Sequence, residues 1–381
     1  MASKKKEVKK EVQANTLTIA TETFKALVSK AYKGVGNNKL LPLTQLMCIQ
    51  VKDNKLTLIV SDASSTNYLY VTHEGVAGEF YATVMADQFA KLIEKLTCET
   101  VTITVEADKL IVTGNGKYTI ALQYDEMGDS IQYPDPLSEL DSKKVKTTNV
   151  DLAIASKIVN SLKSSLSAST DEQYLTGYYL GDITAASNED EMSIYGGKLT
   201  DSPMIAYPIV FELLTLSTDA KFSIERHADG IVVFRTSDIV IYSHEVAGIE
   251  DYPVEALKSF YEVKMPATCK ILKSALLQAL DRIALFVGTY DDNAIKLSFT
   301  GKSLKIQSLA STGVEEIAYT SLIKKPFECM VDLQSFMKHI KTQSTDTVEI
   351  QFGDDSAVKL IDSDIMQIMS LFEDTPNTAE A

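Results

Sequence analysis

One three-strand pattern occurs three times in this chain at nearly constant spacing, and that repeat constrains the architecture more than any other feature. Residues 101–123, VTITVEADKLIVTGNGKYTIALQ, read as three short strands, with Asn115-Gly116 marking the second hairpin. Nearly the same pattern begins again at Phe222 (FSIERHADGIVVFRTSDIVIYS) and at Val348 (VEIQFGDDSAVKLIDSDIMQIM), steps of 121 and 126 residues. Tyr118, Ile239 and Ile365 share an offset of 17 from the three starting residues. In a chain of 381 residues this spacing makes the repeat unit about one domain.

Each unit divides again. A strand and a short helix precede every three-strand pattern, and the same order fills the first half of each third. The helices show as apolar stripes at i, i+3, i+4 and i+7. These are Phe24, Leu27, Val28 and Ala31; Phe89, Leu92, Ile93 and Leu96; Ala155, Ile158, Val159 and Leu162; a weaker Val210, Leu213 and Leu214; Leu276, Ala279, Leu280 and Ile283; and Leu333, Phe336, Met337 and Ile340. The expected fold is therefore α+β, three similar domains each built from two β-α-β-β-β halves. Tyr133-Pro134 and Tyr252-Pro253 mark boundaries, because proline cannot continue a ladder. Domains are placed at 15–136, 137–255 and 256–376, with a mobile basic tail at 1–14 and a second tail at 377–381. Glu22, Asp87, Asp151 and Asp332 stand where a carboxylate caps the first turn of a helix.

Enzyme chemistry finds little support in the residues. Thr300-Gly301-Lys302-Ser303 resembles the end of a P-loop, but the position that requires the first glycine is Lys296, so a hairpin turn is expected. His73, His227, His244 and His339 are widely spaced and are expected at surface or strand positions, and Asp354-Asp355 is expected to form a tight turn. Cys48, Cys98, Cys269 and Cys329 have no CxxC spacing and read as buried reduced thiols, as a reducing cytoplasm would keep them. No catalytic residue, metal or cofactor is expected. No apolar run approaches the ~20 residues of a membrane span.

The net charge is −15, which on its face argues against a nucleic-acid partner. Its distribution argues the reverse. The six helical segments, taken as 22–33, 86–96, 151–164, 208–216, 268–285 and 332–341, carry twelve bases: Lys25, Lys30, Lys33, Lys91, Lys95, Lys157, Lys163, Lys270, Lys273, Arg282, Lys338 and Lys341. Seven acids accompany them, leaving the helices at +5 on an acidic chain. At 100° per residue Lys91 and Lys95 lie opposite the Phe89 stripe, and Lys25, Lys30 and Lys33 oppose the Phe24 stripe. A solvated helix face explains any one of these lysines, but the bias holds on five of six equivalent helices, the Glu212 helix being the exception.

Three paired-half domains with basic helices and acidic strands resemble the bacterial and phage DNA sliding clamp, the beta subunit of DNA polymerase III. Local sequence agrees over about residues 15–372. NNKLLPLTQLMCIQVKDNKLTLIVSD at 37–62 is similar to the family's Leu-Pro segment and following hairpin, YLTG at 174–177 to its Tyr-Leu-Asn-Gly strand, and YPVE at 252–255 to its domain junction. The resemblance implies a ring of two chains closed head to tail, with helices lining a hole around double-stranded DNA and binding phosphates without reading bases. It also implies a DNA polymerase and a clamp loader as partners, no membrane, and a cytoplasmic location. It adds Lys39 as a DNA contact on a loop. It places the subunit interface at Tyr118 and Ile120 against Phe286 and Val287. It places a pocket for partner peptides at Leu175, Gly197, Leu199, Pro253, Val254, Ile368 and Met369, although the family's pocket loop is replaced here by residues 196–202 and the chain runs on past Phe372. A β-rich structural protein without DNA encirclement is the alternative, and an undetected hydrolase a third reading.

Overall fold

Every apolar stripe forms a helix, and strands flank each one because the sequence switches there from a period of 3.6 to a period of 2. The computed structural model describes residues 15–372 except 37, 39, 65–66, 141–145, 189, 289–292, 311 and 355–356, so Lys39, Asp355 and both expected tails lie outside the described residues. The first half comprises β1 (Thr16–Ala20), α1 (Thr21–Tyr32), β2 (Leu46–Lys52), β3 (Lys55–Val60) and β4 (Tyr68–Glu74). The second comprises β5 (Phe80–Met85), α2 (Ala86–Glu94), β6 (Thr100–Glu106), β7 (Lys109–Thr113) and β8 (Lys117–Ala121). A single turn, α3 (Pro136–Glu139), leads to β9 (Lys146–Asp151), α4 (Leu152–Leu162), β10 (Tyr178–Leu180), β11 (Thr184–Ser187) and β12 (Glu191–Tyr195). Next come β13 (Met204–Ala206), α5 (Pro208–Leu214), β14 (Lys221–Arg226), β15 (Ile231–Arg235) and β16 (Ile239–His244). After α6 (Val254–Glu262), the final third holds β17 (Ala267–Leu272), α7 (Lys273–Ile283), β18 (Ala294–Ser308), β19 (Val314–Asp332), α8 (Leu333–Thr342), β20 (Thr347–Asp354), β21 (Ala357–Asp362) and β22 (Ile365–Ser370).

The chain forms two compact units, one of residues up to 153 together with 209–245, the other of 154–208 together with 246 onward. In unit 1 an eight-stranded antiparallel sheet runs β5-β2-β3-β4-β16-β15-β14-β9, and a second sheet runs β1-β6-β7-β8. The β4–β16 pairing, from Val71 opposite Ile239 to Tyr68 opposite Tyr242, joins strands far apart in sequence. Beneath the sheets Phe24 of α1 meets Phe89 of α2 edge to face at 6.0 Å, and Phe211 of α5 meets Phe222 and Phe234. All five rings are fully or almost fully buried, each worth about 1.5–3 kcal/mol of apolar burial. Unit 2 repeats the construction as β13-β10-β11-β12-β22-β21-β20-β17, with the β18–β19 hairpin beside it. There Phe299 stacks on Phe352 at 3.9 Å.

Several expectations are corrected. The helix expected over 268–285 begins only at Lys273; residues 267–272 form β17, where Cys269 and Ile271 are buried and their neighbours are not, a period of 2. Of the four acids expected at helix starts, Asp332 caps α8, accepting from the Ser335 backbone N–H at 2.7 Å, and Glu22 and Asp87 stand in the first turns of α1 and α2, at the positive end of the helix dipole, without a capping hydrogen bond, while Asp151 ends β9. Residues 300–303 are not a hairpin turn but a bulge inside β18, where Gly301 takes φ +56° and the ladder shifts register. His339 is neither on the surface nor in a strand; it is fully buried on α8. Helix α6 was not anticipated at the Tyr252-Pro253 boundary. All four cysteines are free; Cys48, Cys269 and Cys329 are buried, whereas Cys98 is half-buried, and burial pushes the Cys48 thiol up to about 12.

Candidate DNA-facing helices and partner pocket

The helices turn their apolar stripes into the two cores and leave their bases outward, as amphipathic packing requires. Most of those bases already have partners. Lys25 pairs with Glu22 at 2.9 Å and Lys91 with Asp87 at 2.8 Å within their own helices. Lys30 of α1 reaches Asp238 in the β15–β16 turn at 2.7 Å, and Lys157 of α4 reaches Asp364 before β22 at 2.7 Å, so carboxylates outside the helices offset the charge counted on them. Arg282 of α7 forms a two-pronged pair with Glu315 of β19 at 2.6 and 2.9 Å. That fork holds the Glu315 carboxyl below its usual range and raises the guanidinium. Lys270, expected on a helix, lies on β17 and pairs with Glu349 of β20 at 3.1 Å.

Lys273 donates to the Lys341 and Gln343 carbonyls, and Lys338 to the Ser164 carbonyl. Lys163 is exposed at the end of α4 and is not partnerless. Lys33, Lys95 and Lys341 are exposed, and their ammonium groups have no carboxylate partner among the described residues. Exposed pairs are worth at most about 1 kcal/mol, so a phosphate can displace the carboxylate, but the net attraction is smaller than the helix count implied.

The expected pocket residues fall within unit 2 and sort onto two faces. Leu175, on a short turn before β10, joins Ile368 of β22, Val254 of α6, Tyr179, Tyr252 and Leu257 in one apolar cluster. Met369 points to the opposite side of the sheet and packs with Leu276, Phe336 and Leu360, because alternate strand residues face alternate sides. Leu199 is buried, while Pro253 and Val254 are half-buried. The glycines of the replaced loop have a packing reason: a Cβ on Gly196 would stand 2.3 Å from the Tyr261 hydroxyl, and one on Gly197 2.4 Å from the Tyr195 ring. Tyr261 belongs to α6, so helix and loop are fitted to each other. Sequence reasoning missed α6 because a boundary proline was read only as a strand stop, although Pro253 followed by Val254, Leu257 and Tyr261 is a helix start with an apolar stripe.

Of the expected interface residues, Tyr118 is 38% exposed on β8 and Phe286 49% exposed after α7. Ile120 is buried in the unit 1 core and Val287 packs on the unit 2 core. Leu285, Leu309 and Val314, which the sequence did not single out, are also exposed in unit 2, and a Cβ on Gly313 would strike the Phe286 ring at 2.9 Å. β8 is the last strand of its sheet, and β19 pairs only with β18 among the described residues.

Residues 15–131 match the family model of the DNA polymerase III beta subunit, N-terminal domain. The structure is similar over 94% of the chain to all of the beta subunit from Streptococcus pyogenes, with a TM-score of 0.80 at 15% identity. The chain has the sliding-clamp fold. The likeness extends over 95% of this chain to all of the Bacillus subtilis DNA polymerase sliding clamp, TM-score 0.78 at 16% identity. For the beta subunit of Thermotoga maritima the shares are 94% and 99%, with TM-score 0.77 at 14% identity. No curated protein matches this chain by sequence.

Proposed function

We propose that two copies of this clamp close head to tail around double-stranded DNA, slide along it, and tether a DNA polymerase and other replication or repair proteins to the template. The bare β edges carry this reading: β8 with exposed Tyr118 in unit 1, and β19 with Val314, Leu285 and Phe286 in unit 2. Unpaired edges invite association unless they are used, and joining them buries both the ladder groups and the apolar corner. Each chain offers one edge of each kind, so two equivalent contacts close a dimer. The domains proposed for this ring are 15–136, 137–255 and 256–376.

The role is one of retention, with no catalytic step. Lys33, Lys95 and Lys341, with the bases that exchange a carboxylate for a phosphate, meet the backbone only, which favours sliding over sequence recognition. A loader opens the ring, and partners dock at the unit 2 cluster of Leu175, Val254 and Ile368 in the cytoplasm. No described helix is long and apolar enough to cross a membrane. The deciding experiment loads the protein onto circular and linear duplexes. Retention on the closed circle with loss from free ends is expected; equal retention on both would remove the encirclement mechanism.

A further inference from the structure

The unit 2 cluster at which partners are proposed to dock is already filled by a segment of this chain. The apolar stripe of α6, Val254, Leu257, Phe260 and Tyr261, packs into the same cluster as Leu175, Ile194 and Ile368, and the helix runs against β12. With α6 in place Leu175 is only 5% exposed and Ile368 1%, so a partner's apolar side chain cannot reach them. Docking there requires α6 to leave.

The helix is a bridge pinned at both ends. Before it, Tyr252 stacks on Tyr179 at 5.1 Å and donates its hydroxyl to the Ala185 carbonyl at 3.2 Å; after it, the chain enters β17 at Ala267. Between those points the hold is thin. Leu257 is the one buried residue of the nine, Val254, Phe260 and Tyr261 are half-buried, and no side chain caps the first turn. A helix this short does not persist in water without its packing. Its far end is tied down by Lys359 of β21, which donates to the Phe260 and Val263 carbonyls, and its flank by Lys258, 3.7 Å from Asp182. Lys359 is fully buried, an uncommon place for an ammonium group, and it meets the helix at the carbonyls that a last turn leaves free.

We propose that α6 is a resident occupant of the partner pocket. The Leu257–Val263 end lifts, Val254 stays at the pinned end as a wall of the pocket, and an amphipathic segment of the partner, with apolar residues three and four apart as in α6, takes the vacated face. This inference rests on the reading that partners dock at the unit 2 cluster, and it adds that the free protein keeps the cluster closed against them. Because the helix is part of the chain, it competes at a high effective concentration, and a partner's apparent affinity is reduced by the fraction of molecules in which α6 has lifted.

The test uses the full-length protein without DNA or polymerase, so its failure would remove the resident helix and leave the encirclement experiment standing. The probe is a fluorescent peptide of residues 253–263, the α6 sequence, read by anisotropy. Leu257→Asp disables the resident helix while leaving Leu175, Ile194 and Ile368 unchanged, and it should bind the peptide at least about tenfold more tightly than wild type does. The same peptide carrying Leu257→Asp should not bind. Hydrogen exchange supplies a second reading: amides of 257–263 should exchange at least about a hundredfold faster than those of β12 and β22 beneath them, because α6 opens locally. Lys359→Met should widen that ratio by about tenfold, the worth of the charge-assisted hydrogen bonds it removes. The proposal is overturned if folded Leu257→Asp binds the peptide no better than wild type, or if α6 exchanges as slowly as β12 and β22, which would make it a fixed part of the core. Should Leu257→Asp fail to fold, the exchange ratios of wild type and Lys359→Met decide alone.

Discussion

Glu191 of β12 and His339 of α8 meet inside unit 2, the carboxylate oxygen 2.9 Å from Nε2 of a ring with no exposed surface, while Nδ1 of the same ring lies 3.2 Å from the Ser164 hydroxyl. The three side chains tie a strand, a helix and the end of α4 together across residues 164–339. Burial raises the Glu191 carboxyl, but the hydrogen bond and charge of His339, with Ser335 and Lys338, outweigh it and hold the group below its ordinary 4.5. A carboxyl depressed by folding stabilises the folded state above its unfolded value, and that contribution is lost as pH falls through the folded value. Glu191→Gln should therefore cost roughly 1.5–3 kcal/mol at pH 7, the worth of a hydrogen bond to a charged group. Urea unfolding should show the gap to wild type at full size at pH 6–7 and narrowing below 4.5. A gap that grows on acidification would contradict the assignment.

If the proposed ring forms, Tyr118→Glu and Phe286→Glu should each convert a dimer of twice the 41.9 kDa chain mass into monomer, because a carboxylate would be desolvated at the proposed closing edge. Ile120→Glu should instead damage the unit 1 core, where Ile120 is buried. Light scattering and thermal melting separate the two outcomes: the first pair should lose mass with little change in melting, the third should melt earlier.

Replacing Lys33, Lys95 and Lys341 with alanine should reduce the salt dependence of DNA retention more than replacing Lys30, Lys157 and Arg282, whose charges are partly spent on Asp238, Asp364 and Glu315. Each phosphate contact removed lowers the slope of log K against log salt by about 0.9. A salt series on nicked circles measures this directly; equal slopes for the two triple variants would show that the intramolecular pairs open freely on DNA.

On the proposed function, Val254→Asp should leave a folded protein that no longer stimulates a partner polymerase on a long primed template. The position is half-buried in the unit 2 cluster, and an acid in the first turn of α6 suits the helix. Met369→Asp, although the sequence pointed there, should destabilise unit 2 by about 3–5 kcal/mol through an unpaired buried charge. Primer-extension length and calorimetry on the two variants test the distinction.

The helices and strands were legible because each is a local period, and the six-fold repetition let weak stripes such as Val210, Leu213 and Leu214 be read from their stronger copies. Boundaries were less so: β17 and α7 run together in sequence because Cys269 and Ile271 at period 2 flow into Leu276 and Ala279 at period 3.6 without a glycine or proline between them. Of the expected pocket, Leu175, Val254 and Ile368 come together in one cluster, whereas Met369, adjacent in sequence to Ile368, faces another core.

The sequence by itself determined the order of elements, their amphipathic faces and the repeated strand-helix-strand pattern, since all of these depend on spacings of a few residues. Only the tertiary structure decided which charges remain free and which faces are covered. Lys30 meets Asp238 across 208 residues, and α6 lays Val254, Leu257 and Tyr261 on one sheet while α3 brings Leu137 to the other. The physical reason is range: hydrophobic periodicity acts within a turn or a strand, whereas an ion pair or a covered face exists only once distant segments have been brought to within a few ångströms of each other.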